Sequence, residues 1–303
     1  MSGTAVTIGA YDGVHLGHRA LLRDLCERAA SAGLSTVVVT FDRHPASVVR
    51  PESAPKLLTD LDQKLELLAD CGVDRTLVVQ FDRDRADESA EDFVTEVLVD
   101  SLGARLVVVG EDFHFGHGRK GNVALLRELG RAHGFDVVGV GLTADGSAAV
   151  SSTRIRTLVA RGDVEAAAAL LGRPHELRGP VVRGDNRGGT ELGFPTANLG
   201  IAAEIARPGD GMYAGYFTRP DGSTHRAVTY VGRRPTFYDP TTAPVLVEAH
   251  LLGFAGDLYG EVGRLSFVRR LRDDMAFDSA EELIAQMHRD VAHAEEVLSG
   301  EPG

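Results

Sequence analysis

The run Gly9-Ala10-Tyr11-Asp12-Gly13-Val14-His15-Leu16-Gly17-His18 packs two imidazoles, a carboxylate and three glycines into ten residues. It lies between an apolar, β-rich stretch and a helical one. Glycines there allow tight backbone turns, and a helix N-terminus offers free N–H groups and positive potential to a phosphate. His15 and His18 add donors, with extra charge when protonated. A turn bearing two surface histidines is the plainer reading of such a pair. Its place at the exit of the first strand, among glycines, favours an anion site made of Gly9, Asp12, Gly13, His15 and His18.

Two further clusters follow later strand-like stretches. Gly110-Glu111-Asp112-Phe113-His114-Phe115-Gly116-His117-Gly118-Arg119-Lys120-Gly121 comes after the fourth, and Ser151-Ser152-Thr153-Arg154-Ile155-Arg156 after the fifth. Alone, the first reads equally as a solvated loop. The hydroxyls of Ser152 and Thr153 serve equally as helix caps or as phosphate ligands beside Arg156. All three clusters fall at one edge of the expected sheet.

A different constellation stands in the second half. Gly184, Arg187 and Gly188 belong to a glycine-rich run that ends in Gly193-Phe194-Pro195-Thr196-Ala197-Asn198. Glycines let backbone N–H groups close on phosphate as an anion-binding nest. No Gly-Lys-Ser/Thr ending is present, so this is not a P-loop. Thr196 and Asn198 are two apart, so on an extended segment they point the same way. Their hydroxyl and amide oxygens suit Mg²⁺. An ordinary glycine-rich turn is the alternative.

The elements that must hold these residues change rhythm along the chain. Apolar runs at Ala5–Tyr11, Ser35–Phe41, Arg75–Phe81, Arg105–Val109 and Asp136–Leu142 alternate with helical stretches at His18–Ala32, Asp60–Cys71, Ala90–Leu102 and Val123–His133. That alternation predicts a parallel sheet covered on both faces, a Rossmann-like α/β fold. Gly33, Gly72, Gly103 and Gly134 stand where helices end in a left-handed residue. Two short helices are expected at Ser152–Ala160 and Val164–Leu171, before Gly172-Arg173-Pro174 breaks the pattern. Beyond Glu176, Gly and Pro punctuate β-rich runs at Gly211–Thr218, Arg226–Val231, Val245–Leu252 and Val262–Val268. This is the rhythm of a small antiparallel β-barrel. A last helix, Ser279–Leu298, carries an apolar stripe at Leu283, Ile284, Met287, Val291 and Ala294. Domains are therefore expected at 1–172 and 176–303.

Composition narrows the function classes. The chain has 303 residues, 43% of them hydrophobic and 25% charged, an ordinary globular mix. A formal net charge of -12 opposes a broad nucleic-acid face. No apolar run reaches membrane-spanning length. Met1 to Gly9 has neither a basic start nor an apolar signal core. Cys26 and Cys71, without metal-ligand spacing, fit a reducing compartment. The expectation is a cytoplasmic protein acting on small molecules, not on nucleic acid or membrane, as a monomer or weak homo-oligomer.

The segments G-A-Y-D-G-V-H-L-G-H, T-F-D-R-H-P (Thr40–Pro45), G-E-D-F-H-F-G and S-S-T-R-I-R resemble the adenylyltransferase module of bacterial bifunctional riboflavin kinase/FAD synthetases. The first carries the H-x-G-H signature of nucleotidyltransferases. The second half resembles the riboflavin kinase signature R-G-x-x-x-G-F-P-T-A-N with a longer loop, supported by V-E-A-H-L-L (Val247–Leu252), D-L-Y-G and F-V-R-R-L-R. The resemblance implies phosphorylation of riboflavin to FMN by ATP in a six-stranded C-terminal barrel, and adenylylation of FMN to FAD in the N-terminal half. It implies that His15 and His18 contact ATP phosphates, and that Asp112, Ser152, Thr153 and Arg156 help hold the nucleotide. Thr196 and Asn198 would hold Mg²⁺ and phosphate, Glu248 would be the general base, and Arg272 with the segment to Phe277 would cover the flavin. Ala10-Tyr11 stands where the family commonly has Asn-Phe, and Tyr230 and Arg233 depart from Asn-Ile-Gly-Thr-x-Pro-Thr-Phe. The chain also begins almost at the first strand, without the family's usual leader. A paralogue with one active module or a flavin-analogue substrate, and a non-catalytic flavin- or RNA-binding regulator, are the competing readings.

Overall fold

The computed structural model describes residues 3–141, 144–145, 148–183, 194–233 and 245–300. The chain divides into two compact units, Met1–Ser152 and Thr153–Gly303.

In the first unit five parallel strands, β1 (Thr4–Ile8), β2 (Ser35–Phe41), β3 (Arg75–Val79), β4 (Ala104–Gly110) and β5 (Asp136–Val140), lie in the order β3-β2-β1-β4-β5. Helices α1 (Leu16–Ala32), α2 (Leu61–Ala69), α3 (Ala90–Ser101) and α4 (Val123–His133) connect them. From Val94 the α3 bonding widens to i→i+5, ending with Leu102 N–H on Val97 O at 3.2 Å. Valines fill the sheet centre because both faces are covered: Val37, Val38, Val39, Val107, Val108 and Val109 are essentially inaccessible. The chain winds outward from β1 to β3, then returns to place β4 on the other side of β1. The direction of winding thus reverses between β1 and β4, where doubly wound sheets bind ligands.

The first strand stops at Ile8, earlier than the apolar run predicts. Apolar character continues through Tyr11, but Tyr11 has φ 49° and has left the extended region. The run Arg75–Phe81 likewise ends as a strand at Val79, and the Phe81 N–H is taken by the Asp42 carboxylate at 2.8 Å.

In the second unit, α5 (Ser152–Arg161) and α6 (Val164–Leu171) precede a closed six-stranded barrel. The strands β6 (His175–Val182), β7 (Ala197–Leu199), β8 (Gly211–Thr218), β9 (Thr224–Gly232), β10 (Leu246–Leu251) and β11 (Val262–Asp273) close in the order β6-β7-β10-β9-β8-β11. Val164 of α6 is fully buried in the barrel's core cluster. The two short helices, grouped by sequence with the first half, therefore cluster with the barrel. The last strand runs to Asp273, past its predicted end at Val268. Its charged outer residues find partners there: Arg269 meets Glu165 at 2.9 Å. Helix α7 (Ala280–Ser299) lays Val291, Ala294 and Leu298 on Ala214 and Val228 of the outer barrel face.

Candidate active sites

Between β1 and α1 the chain makes a tight turn. Val14 N–H donates to Tyr11 O at 3.2 Å, and Gly13 takes the left-handed position at φ 83°. Tyr11 and Val14 flank it at φ 49° and 37°, conformations costing roughly 1–3 kcal/mol each in non-glycine residues. Burial holds them in place, since both pack with Leu22, Val38, Leu67 and Leu68. The Tyr11 hydroxyl meets Thr7 Oγ1 at 2.7 Å, and burial pushes its pKa far above the ordinary phenol value.

Asp12 is buried and binds the chain itself. Its Oδ1 accepts the N–H groups of Leu58 and Thr59 at 2.8 and 3.2 Å, while Gly13 N–H donates to Thr59 Oγ1 at 3.2 Å. That oxygen braces the loop. Lys64 does similar work from α2, donating to Phe41 O at 2.7 Å and Ala10 O at 3.4 Å. Burial lowers the Lys64 pKa, opposed by Asp12 and Asp42.

His15 caps α1: its Nδ1 accepts the His18 N–H at 3.3 Å, so neutral His15 carries its proton on Nε2. The His15 and His18 rings stack with centroids 3.6 Å apart, and the Tyr11 ring meets His18 edge-on at 5.0 Å. Desolvation, followed by the neighbouring His15, holds the His18 pKa well below 6.5. His18 Nδ1 is buried with no hydrogen-bond partner among the described residues. An unpartnered buried nitrogen costs free energy that a phosphate oxygen would offset. Ser152 Oγ, at the end of the first unit, donates to Asp12 O at 2.9 Å. Asp112 is exposed in the loop after β4, the strand beside β1. Thr153 and Arg156 occupy the first turns of α5 and belong to the second unit.

A depressed His18 pKa has a consequence for stability. The unfolded chain binds a proton near pH 6.5 that the folded chain refuses, so this contribution is complete above that pH and lost as pH falls. Without nucleotide, the Tm of the first unit should fall between pH 7.5 and 5.5. His18→Gln should lessen the fall by about 1 kcal/mol per pH unit below 6.5. Thermal unfolding at the two pH values checks it; equal losses in both proteins would refute it.

The barrel presents its polar residues on the outer face. Ala197, Val231, Val247, Ala249 and Tyr213 point inward to the core. Strand alternation therefore sends Asn198, Glu248, Tyr230, Met212 and Arg272 outward. They sit directly opposite one another across five strands: Asn198 against Glu248, Glu248 against Tyr230, Tyr230 against Met212, Met212 against Arg272. Such opposed positions are about 5 Å apart. His250, two residues past Glu248, binds the Pro195 carbonyl through Nδ1 at 2.8 Å and fixes the approach to Thr196. Phe194 packs its ring against His250 and His288. Gly184, Arg187 and Gly188 lie outside the described residues.

Arg272 is held by α7. Its Nε and Nη2 reach the Asp290 carboxylate at 3.0 and 2.8 Å, and Gln286 Nε2 donates to the same carboxylate at 2.8 Å. The Arg272 guanidinium lies 5.8 Å from the Phe277 ring centre. Sequence reasoning missed Asp290, although it interrupts the apolar stripe of α7 between Met287 and Val291. A charge in such a stripe requires a buried partner. The Asp290 side chain is only 4% exposed, so Asp290→Ala should strand Arg272 and destabilise the second unit by about 3 kcal/mol. A fall in Tm on the order of 10 °C would register this loss; a change within 2 °C or so would exclude it.

A FAD synthetase model matches residues 1–154 and a riboflavin kinase model residues 171–298. A curated relative from Escherichia coli (strain K12), named bifunctional riboflavin kinase/FMN adenylyltransferase, is 38% identical over 97% of this chain and 92% of its own. The chain belongs to this family. Members of the same name from Listeria monocytogenes and Haemophilus influenzae are 36% and 34% identical, over 94% and 97% of this chain and 89% and 94% of their own. A solved Streptococcus pneumoniae structure, named a macrolide-efflux protein, superposes with TM-score 0.86 at 30% identity, covering 99% of this chain and 95% of that one. Among the described residues here, no helix is long and apolar enough to cross a membrane. The family's two-module order is the order of the two units seen here, α/β first and barrel second.

Proposed function

We propose that this family member makes FMN and FAD with the residues assembled above. It is a two-step transferase of flavin cofactor synthesis. In the barrel unit, the riboflavin 5′-hydroxyl oxygen attacks the γ-phosphorus of ATP, the bond to the β–γ bridging oxygen breaks, and ADP leaves. Glu248 takes the hydroxyl proton. In the α/β unit, an FMN phosphate oxygen attacks the α-phosphorus of a second ATP and pyrophosphate leaves. No protein nucleophile is required. His15, the unpartnered nitrogen of His18 and the α1 N-terminus stabilise charge on the phosphates, while the braced turn keeps them in place. Asp112, Ser152, Thr153 and Arg156 complete the nucleotide contacts. Gly184, Arg187 and Gly188 do so for the ATP of the barrel unit, and Arg272 and Phe277 border the flavin.

Mg²⁺ fits the donors present. Asn198, next to the inward Ala197, faces the side of β7 on which it opposes Glu248, and Thr196 directly precedes the strand. Oxygen ligands of this kind suit a hard cation that keeps several waters. When bound, Mg²⁺ would neutralise phosphate charge.

One observation carries the reading: a FAD synthetase model matches the first half and a riboflavin kinase model the second, with the stacked His15–His18 pair in the one and the opposed Asn198 and Glu248 in the other. The acidic net charge and the absence of metal-ligand spacing around Cys26 and Cys71 support a cytoplasmic enzyme of small molecules that leaves nucleic acid alone, a monomer or weak homo-oligomer. The test supplies ATP, Mg²⁺ and riboflavin and follows flavins by chromatography. FMN followed by FAD is expected; absence of both would overturn the reading.

A further inference from the structure

Tyr230 stands in the outer row of the barrel directly opposite Glu248. It is one of the positions that departs from the family wording, and the two reactions assign it no part. Its ring is half-buried and lies forward along its own strand, beside Gly232. A Cβ at Gly232 would come within 2.3 Å of the Tyr230 hydroxyl, so β9 is bare at that point and the ring fills the space. From there the hydroxyl donates to Asp274 Oδ2 at 3.2 Å, a contact spanning 44 residues. Asp274 begins the segment that leaves β11 and carries Phe277 towards α7. The other anchor of that segment is Arg272, fixed on Asp290 and lying over Phe277. The segment is therefore tied at two points, and the Tyr230 tie is the one beside Glu248.

We infer that Tyr230 is a positioning residue that sets flavin affinity in the kinase site: through Asp274 it holds the 274–277 segment against the barrel face bearing Glu248. This deepens the kinase reading and rests on it. A planar apolar ring system docking beside Glu248 needs a wall at a fixed distance from the base. Free motion of the segment would have to be frozen on each binding event, which weakens affinity for the flavin more than it slows phosphate transfer. A contact to ATP is not involved, so ATP affinity is untouched.

The test compares Tyr230→Phe, Asp274→Ala, Asp274→Asn and the Tyr230→Phe/Asp274→Ala double variant in the full-length protein. Tyr230→Phe keeps the ring in the Gly232 space and removes only the donor. It should raise KM for riboflavin about tenfold, with kcat within about twofold and KM for ATP unchanged. Asp274→Ala should match it, Asp274→Asn should retain an acceptor and stay near wild type, and the double variant should be no worse than either single. FAD formation from supplied FMN is the internal control and should not change. An unaltered riboflavin KM in Tyr230→Phe and Asp274→Ala, or additive effects in the double variant, would overturn the inference alone. A wild-type protein that forms no FMN would overturn the kinase reading and the inference with it.

Discussion

Replacing both His15 and His18 with Ala lowers FAD formation from supplied FMN by about 10³-fold, while FMN formation from riboflavin continues at the wild-type rate. Loss of one preorganised donor to a charged transition state typically costs 10²- to 10³-fold. The two rings act as a stacked unit, so the double loss falls well short of the product of two singles. Helix capping complicates His15 alone, because its Nδ1 also holds the His18 N–H. His15→Asn keeps a cap acceptor and removes the imidazole. It should leave the Tm near wild type yet still reduce FAD formation. Initial rates of pyrophosphate release and of FAD appearance measure the effect. An equal fall in FMN formation would show that the two sites had been assigned to the wrong units.

Glu248→Gln should have the opposite signature. Removing the base while keeping shape and hydrogen-bonding reach lowers FMN formation by about 10²- to 10⁴-fold. FAD formation from supplied FMN should persist, because the phosphate-site residues of the α/β unit are unaltered. Glu248 opposes Asn198 on one side and Tyr230 on the other, so the isosteric change should disturb neither strand pairing. Full activity in the Gln variant would remove Glu248 from the chemistry and leave the barrel site to positioning and charge alone. Single-turnover measurements of ADP release at saturating riboflavin separate the chemical step from flavin affinity, which is the quantity assigned to Tyr230.

Much of this protein was determined by sequence alone. Uninterrupted valine runs separated by amphipathic helices require a two-faced parallel sheet, because only burial on both faces tolerates such strands. Gly and Pro punctuation beyond Glu176 requires short antiparallel strands. The spacing of His15 and His18 is a local property of a helix start, and Asn198 turns away from the inward Ala197 because strands alternate. These features depend on neighbours a few residues away, which is why they are legible.

The tertiary structure decided what depends on distant partners. Asp12 acquires its loop-bracing bonds only through Leu58 and Thr59, far along the chain, whose N–H groups its oxygen accepts. Tyr11 reads as the end of a strand until burial forces it into the left-handed region. Arg272 gains its anchor only through Asp290 of α7, which holds its guanidinium. The row that aligns Asn198, Glu248 and Tyr230 exists only through the register of barrel strands separated by long stretches of chain. Register and long-range pairing are set by packing over the whole core, and no local pattern encodes them. So the imidazole pair was visible in ten residues, whereas the turn that strains and braces it, and a buried His18 nitrogen with no partner among the described residues, came only with the fold.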